Sequence, residues 1–155
     1  MDFIIKEADA SMLPELLSIE TASFTCPWSE ESFRAALDSD AVSVPVCLSE
    51  DGTIVGFACL LTVADEGELL NIAAAPSARR AGVGQRLLAH CLALCRERGV
   101  SVLYLEVRES NAPARSLYRK NGFGEIGVRR NYYEKPRENA ILMRRVLLPE
   151  AEGNS

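Results

Sequence analysis

Two arginines and two glycines stand together in Arg79-Arg80-Ala81-Gly82-Val83-Gly84-Gln85. The residues before them, Glu68–Ala74, read as a strand, and those after them read as an amphipathic helix. A strand therefore enters a loop, and the loop opens a helix. The first turn of a helix carries backbone N–H groups with no intrahelical partner and about half a positive charge. That end binds phosphate wherever side chains leave room. Gly82 and Gly84 leave room, and Arg79 and Arg80 add positive charge. The plainer reading is a helix start with two convenient glycines. A nucleoside-triphosphate loop would need Gly-Lys-Ser/Thr, which the chain lacks. Gly82-Val83-Gly84 with Glu106 24 residues beyond Gly82 imitates a dinucleotide fingerprint. Against it, Leu87 replaces the third glycine, and the first glycine sits well past the strand, behind Pro76 and both arginines.

Glu106 interrupts an apolar strand. Alternation puts it on one face with Val102 and Tyr104, opposite Leu103, Leu105 and Val107. A carboxylate there is a strand-end group in water, a salt-bridge partner of Arg108 or another arginine, or a group in a functional cleft. Tyr118 follows twelve residues later on a short helix, as a proton donor or as a core tyrosine. Trp28 and the pair Tyr132-Tyr133 fit either a peptide groove or a core. The five cysteines are odd in number and form no CxxC. On a helix, Cys91 and Cys95 fall in the apolar stripe, whereas His90 falls on the polar side. No metal site and no cysteine nucleophile are therefore expected.

The elements that position these residues follow from period and punctuation. Phe3–Glu7 reads as a strand. Asp9 or Ser11 caps a helix to about Ser23, with Pro14 in its first turn. Cys26-Pro27-Trp28-Ser29 is a loop, and Ser29 caps a short helix with Glu30 and Glu31 at its positive end. Val42–Leu48 is a strand that Pro45 demotes to an edge. Asp51-Gly52 turns into Ile54–Val63, and Asp65-Glu66-Gly67 turns into Glu68–Ala74. A helix over Gln85–Arg98 stops at Gly99. Ser101–Val107 reads as a buried strand covered on both faces. Asn111 caps a helix containing Pro113 and ended by Asn121-Gly122. Strands near Glu125–Tyr132 and Ala140–Leu147 close the chain. The order β-α-α-β-β-β-α-β-α-β-β predicts a mixed, mostly antiparallel α/β sheet flanked by helices, as one domain over 1–148 with a polar tail over 149–155.

The 155 residues are 48% hydrophobic and 25% charged, a globular composition. The net charge of −5 conceals a split: residues 1–70 hold 14 acidic and 2 basic side chains, and residues 71–155 hold 8 and 15. A nucleic-acid binder would carry a basic domain, so no nucleic-acid partner is expected. No run reaches the roughly 20 apolar residues of a membrane span, and Met1–Glu7 has no signal-peptide pattern. Together with the unpaired cysteines, this reads as a reduced, cytoplasmic protein with buried free thiols and no membrane partner.

Arg79-Arg80-Ala81-Gly82-Val83-Gly84 resembles the Arg/Gln-x-x-Gly-x-Gly/Ala motif of GNAT acetyltransferases. The resemblance extends in order through Cys26-Pro27-Trp28-Ser29, Leu105-Glu106-Val107-Arg108-Glu109-Ser110-Asn111, Leu117-Tyr118, Asn121-Gly122-Phe123, Arg130-Asn131-Tyr132-Tyr133 and Ala140-Ile141-Leu142-Met143. Over residues 3–147 these pieces are similar to the RimI-type ribosomal-protein-alanine N-acetyltransferases. Asn139 stands where that family commonly has Asp, and Ala74 where it has Val. The resemblance implies acetyl-CoA as co-substrate and a GNAT fold. It implies that Ile72, Ala73 and Ala74 pair with the pantetheine and acetyl carbonyl, that Arg79, Arg80, Ala81, Gly82, Val83, Gly84 and Gln85 hold the pyrophosphate, and that Asn111 holds the far end of the cofactor arm. It implies Glu106 as general base and Tyr118 as the acid that protonates the thiolate. The implied partner is the basic N-terminal peptide of the eighteenth small-subunit ribosomal protein, whose N-terminal alanine would be acetylated. An acceptor lysine or small amine, or an acetyl-CoA-binding module without turnover, are the other readings. A pure sensor needs neither Glu106 nor Tyr118.

Overall fold

Pro45 does not make an edge strand. In the computed structural model, which describes residues 2–147, the predicted Val42–Leu48 strand is two strands, β2 (Val42–Ser43) and β3 (Pro45–Leu48), separated by Val44. Strand β3 is interior. It pairs antiparallel with β1 (Ile4–Glu7), Glu7 facing Pro45, and with β4 (Ile54–Val63), Val46 facing Phe57. Proline is tolerated because it is the first residue of its strand. The break is held by Glu7, whose Oε1 accepts the Val44 N–H at 2.9 Å.

The chain forms two compact units. Among the described residues the first comprises 2–61 and 70–94, and the second 62–69 and 95–147. In the first, Asp9 caps a single 3-10 turn by accepting from the Ser11 backbone and hydroxyl, and helix α1 (Leu13–Ser23) follows. Ser11 is thus a donor to the cap rather than the cap. Helix α2 (Glu30–Asp38) is capped by Ser29 as expected, with Ser32 N–H donating at 3.1 Å. Leu16, Phe33, Val46 and Phe57 are fully buried at the centre of this unit's core. Phe33 meets Phe57 edge-on at 5.5 Å, and Trp28 lies 5.2 Å from Phe33. Trp28 is therefore a rim residue of this core. Helix α3 (Val83–Glu97) starts two residues earlier than its pattern predicts. It approaches β4 closely at Gly56, where a Cβ would lie 2.5 Å from Val83 Cγ1 and 2.9 Å from the Ala73 carbonyl oxygen.

Strand β5 (Glu66–Ala74) runs from the second unit into the first. The expected turn at Asp65-Glu66-Gly67 is shifted: Ala64 and Asp65 form it, with Ala64 at φ 54, and Gly67 lies inside the strand. Gly67 packs closely there: a Cβ would lie 3.2 Å from Leu103 Cδ1 and 3.4 Å from Val100 Cγ1, so the Leu103 side chain would have to give by a few tenths of an ångström. In the second unit β5 pairs parallel with β6 (Val102–Arg108) over Glu66–Leu69. Strand β8 (Glu138–Val146) pairs antiparallel with β6 and with β7 (Gly124–Tyr133). Helix α4 (Ala112–Lys120) is capped by Asn111 and ended by Gly122 at φ 88, as predicted. The pairing in both units is the expected mixed, mostly antiparallel kind, with helices in the predicted order and one extra strand from the split at Val44. Strand β6 alternates, with Leu103, Leu105 and Val107 buried and their neighbours half-buried, so only one of its faces is fully covered. None of the five cysteines is in a disulfide; Cys47, Cys59, Cys91 and Cys95 are buried as expected, but Cys26 is exposed. The predicted tail 149–155 lies outside the described residues.

Gly56→Ala should destabilise the protein by about 1–3 kcal/mol, since the new methyl group meets a backbone carbonyl that cannot rotate away. Urea unfolding monitored at Trp28 measures it. An unchanged midpoint would show that α3 is not held against β4 at that residue.

Candidate active site

The residues singled out from the sequence fall into two groups, one in each unit. In the first unit the loop after β5 is a 3-10 turn, Pro76–Ala78, followed by Arg79 and the left-handed residues Arg80 (φ 69) and Gly82 (φ 85). Helix α3 then begins, and its first backbone bond runs from the Arg86 N–H to the Gly82 carbonyl at 3.0 Å. The N–H groups of Val83, Gly84 and Gln85 are consequently the first-turn donors that a helix cannot satisfy itself. A Cβ on Gly82 would meet nothing within 4 Å, so the approach to these donors is open. Charge, dipole and space fit a pyrophosphate. Ala81 belongs to the turn, its N–H donating to Ala78 at 3.3 Å. Arg79 does more than the sequence suggests: its Nη2 donates to the Ser23 hydroxyl at 3.3 Å and to the Ala22 carbonyl at 3.5 Å, tying the loop to the end of α1. Ile72, Ala73 and Ala74 are the last residues of β5, with Ala73 buried.

A residue that sequence reasoning missed supports this end of β5. Glu20, on α1, is only 1% exposed. One carboxylate oxygen accepts the Trp28 backbone N–H at 2.8 Å, and the other accepts from Asn71 Nδ2 at 2.6 Å. The loop Cys26–Ser29 and the residue preceding Ile72 are thereby joined through one buried side chain. Burial pushes the Glu20 carboxyl above its ordinary value, against both hydrogen bonds. The sequence did hold a sign of it: on a helix Glu20 falls three, four and seven residues after Leu17, Leu16 and Leu13, a carboxylate in line with the apolar stripe.

In the second unit Glu106 stands on the half-buried face of β6. Of the alternatives open from sequence, the salt bridge is present, and its partner is Arg129: Nε lies 2.8 Å from Oε2. Arg108 bonds instead to Glu138 at 3.2 Å and to the Pro136 and Glu134 carbonyls, stacking 4.4 Å from the Tyr133 ring. Tyr132 donates a hydrogen bond to Glu106, whose charge is the main cause that pushes the Tyr132 phenol up. Burial, then Glu106, pushes Tyr133 up to about 12. Burial and the Glu106 charge also raise the Glu68 carboxyl, which Arg129 partly offsets. Sequence reading missed Glu68 and Arg129, because neither interrupts an apolar pattern. Tyr118, on α4, is buried and meets Phe123 edge-on at 5.7 Å. Asn111 uses its Oδ1 as the α4 cap, accepting from the Ala114 N–H at 3.2 Å. Asn139 accepts from the Asn131 N–H at 2.9 Å and donates to Glu109 at 3.2 Å, and an aspartate could make only the first of these bonds. Among the described residues no three His, Cys, Asp or Glu side chains gather as a metal site would require, and no helix is long and apolar enough to cross a membrane.

Residues 13–123 match the family model described as the acetyltransferase (GNAT) family. The chain is 41% identical over 143 residues to the ribosomal protein bS18 alanine N-acetyltransferase of Haemophilus influenzae, covering 90% of this chain and 96% of that one. It is 39% identical over 141 residues to the enzyme of that name from Escherichia coli K12, covering 90% and 94%. Among solved structures it is similar to the ribosomal-protein-S18-alanine N-acetyltransferase from Escherichia coli, with a TM-score of 0.91 at 35% identity and 99% of each chain covered. It is also similar to Ard1 from Thermoplasma volcanium, with a TM-score of 0.88 at 28% identity over 96% of this chain and 100% of that one.

Because burial raises the Glu20 carboxyl, the folded state holds that proton more tightly than the unfolded chain does. Its contribution to stability is complete below the ordinary glutamate range and is lost as pH rises through the raised native value. Urea unfolding across acidic to neutral pH should show this fall in the wild type and lack it in Glu20→Gln. Parallel curves for the two proteins would refute it.

Proposed function

This chain belongs to the GNAT acetyltransferase family, and on that premise we propose that it transfers the acetyl group of acetyl-CoA to the N-terminal α-amine of the alanine that begins ribosomal protein bS18. The observation that carries the proposal is a relative named for that reaction, 41% identical and matched over 96% of its own length. The site residues follow the family resemblance and the local chemistry. The first-turn amides of Val83, Gly84 and Gln85, with Arg79, Arg80, Ala81 and Gly82, hold the pyrophosphate. Backbone groups of Ile72, Ala73 and Ala74 hold the pantetheine arm and the acetyl carbonyl, and Asn111 holds the arm's far end.

Acetyl-CoA supplies an acetyl group activated as a thioester. Glu106 takes a proton from the α-ammonium, directly or through one water. An α-amine has a pKa of about 8, so a carboxylate of modest strength suffices. The neutral nitrogen then forms the C–N bond while the C–S bond breaks, and the second proton that the new amide nitrogen must lose passes through solvent, from which the Tyr118 phenol regains the proton it gives up. Tyr118 gives its phenolic proton to the departing thiolate, a role suited to a group that remains protonated at neutral pH. No covalent enzyme intermediate and no metal enters. The place of action would be the cytoplasm, where ribosomal proteins are made.

The deciding assay offers acetyl-CoA with a bS18 N-terminal peptide beginning with alanine, beside the same peptide blocked at its terminus and carrying free lysines. Acetylation of the free-terminus peptide alone is expected. Acetylation of the blocked peptide would move the acceptor to lysine, and binding without transfer would leave an acetyl-CoA-binding module.

Tyr118→Phe should lower kcat by about 10²-fold or more with little change in acetyl-CoA affinity. Steady-state kinetics and a direct binding titration check this, and an unchanged kcat would remove the acid role. Raising ionic strength from about 0.1 M to 1 M shortens the Debye length from about 10 Å to 3 Å. The KM values for the basic peptide and for acetyl-CoA should then both rise severalfold. A peptide KM indifferent to salt would make the acidic N-terminal half plain solvated surface.

A further inference from the structure

We propose that Arg129 and Glu68 act as opposed positioning residues for Glu106, one fixing its carboxylate and the other crowding it with like charge. The inference rests on the reading of Glu106 as the base and adds two residues to it.

Every group in the argument lies in the second unit. Arg129 reaches Glu106 from β7 through Nε, at 2.8 Å from Oε2. The contact is lopsided: the Arg129 side chain is 58% exposed and the Glu106 side chain only 23%. The guanidinium also lies 5.6 Å from the Tyr132 ring, so it is held on two sides while its far edge stays in solvent. From β5, Glu68 faces the same place. Its register partner is Tyr104, which shares the Glu106 face of β6, and after burial it is the Glu106 charge that raises the Glu68 carboxyl while Arg129 lowers it. The remaining neighbours are accounted for. Tyr132 donates to Glu106, and Tyr133 lies within reach of its charge. Arg108, on the same face of β6, is held by Glu138. On β8, Leu142 stands opposite Glu106 and Arg144 opposite Tyr104.

One cation thus serves two carboxylates. An opposite charge favours the ionised form of a carboxylate, and a like charge disfavours it. Arg129 keeps Glu106 ionised and oriented before the substrate arrives. Glu68 works against that, placing a like charge on the same face of the sheet beside the pair. An incoming ammonium then meets a carboxylate whose counter-ion has a second partner close by.

The test is a titration of the full-length protein carrying ¹³C-carboxyl glutamate, with the Glu106 resonance assigned by its loss in E106Q. Arg129→Ala should raise the Glu106 midpoint and Glu68→Gln should lower it. Each should change proton affinity by roughly three- to tenfold, the exposure of Arg129 keeping the effects modest. Arg129→Lys should stay close to wild type. Opposite shifts support the proposal, because a merely structural role would not move the two variants in opposite senses. Unmoved midpoints, or shifts of one sign, would overturn it. If Arg129→Ala does not fold, Glu68→Gln decides alone. The parent reading fails separately: full acetyl transfer by E106Q would remove Glu106 as base and leave the titration result standing.

Discussion

A strand can bury only every second side chain, and on β6 that limit makes room for a charge. Leu103, Leu105 and Val107 fill the covered face. Tyr104, Glu106 and Arg108 are thereby committed to the other face, where a carboxylate needs a partner but not full desolvation. The neighbouring strand β5 brings Glu68, and from beyond β8 the strand β7 brings Arg129, Tyr132 and Tyr133. A register shift of one residue would turn Glu106 into the core and Leu105 out of it, so the pairing of Leu105 with Met143 and of Glu106 with Leu142 protects the site as well as the sheet.

The cradle in the first unit depends on backbone rather than on side chains. Arg80 and Gly82 adopt left-handed conformations on either side of Ala81, and the turn they make delivers the chain into α3 with its first amides facing outward. Gly82 meets this geometry without cost, whereas Arg80 accepts strain that is commonly stored at binding sites. Gly56 works at the other side of α3, letting Val83 and Leu87 close onto β4. The direction in which the helix start points is set by that contact.

Elements with strong punctuation were legible in the sequence. Ser29 and Asn111 cap the helices they were expected to cap, and Gly99 and Gly122 both take positive φ at helix ends. Segments where tertiary pairing overrides local preference were not. Pro45 sits in an interior strand because its missing N–H falls at the strand's first residue, a matter of register that composition does not reveal. Gly67 lies in strand rather than turn because Glu66–Leu69 pair with Val102–Leu105 of β6, a partner distant in sequence. The site divided likewise. Gly82, Gly84 and Glu106 broke a pattern and drew notice. Glu20 continues the Leu13, Leu16, Leu17 stripe of α1 and went unnoticed, whereas Glu68 and Arg129 sit where charged residues are ordinary, and only the fold shows that these two converge on Glu106.

The charge asymmetry between the two halves of the chain is largely absorbed by structure. Arg86 donates to the Phe3 carbonyl, Arg145 to the Asn121 carbonyl, and Arg115 and Arg119 share Glu125. Arg79 closes α1, Arg108 organises the 134–138 turn, and Arg129 serves Glu106. On the acidic side Glu7, Asp9, Glu20 and Asp51 each accept backbone hydrogen bonds. A guanidinium already bonded to a neutral carbonyl keeps its charge, so Arg79 and Arg86 still contribute to the field, but their positions are set by the fold and not by a ligand. In the proposed function, recognition of a pyrophosphate would then fall chiefly to the first-turn amides of α3. Arg80, among the described residues, remains the arginine of that loop whose side chain no such bond engages. Fixed dipoles give such a cradle its orientation, and one uncommitted cation adds attraction that salt can screen.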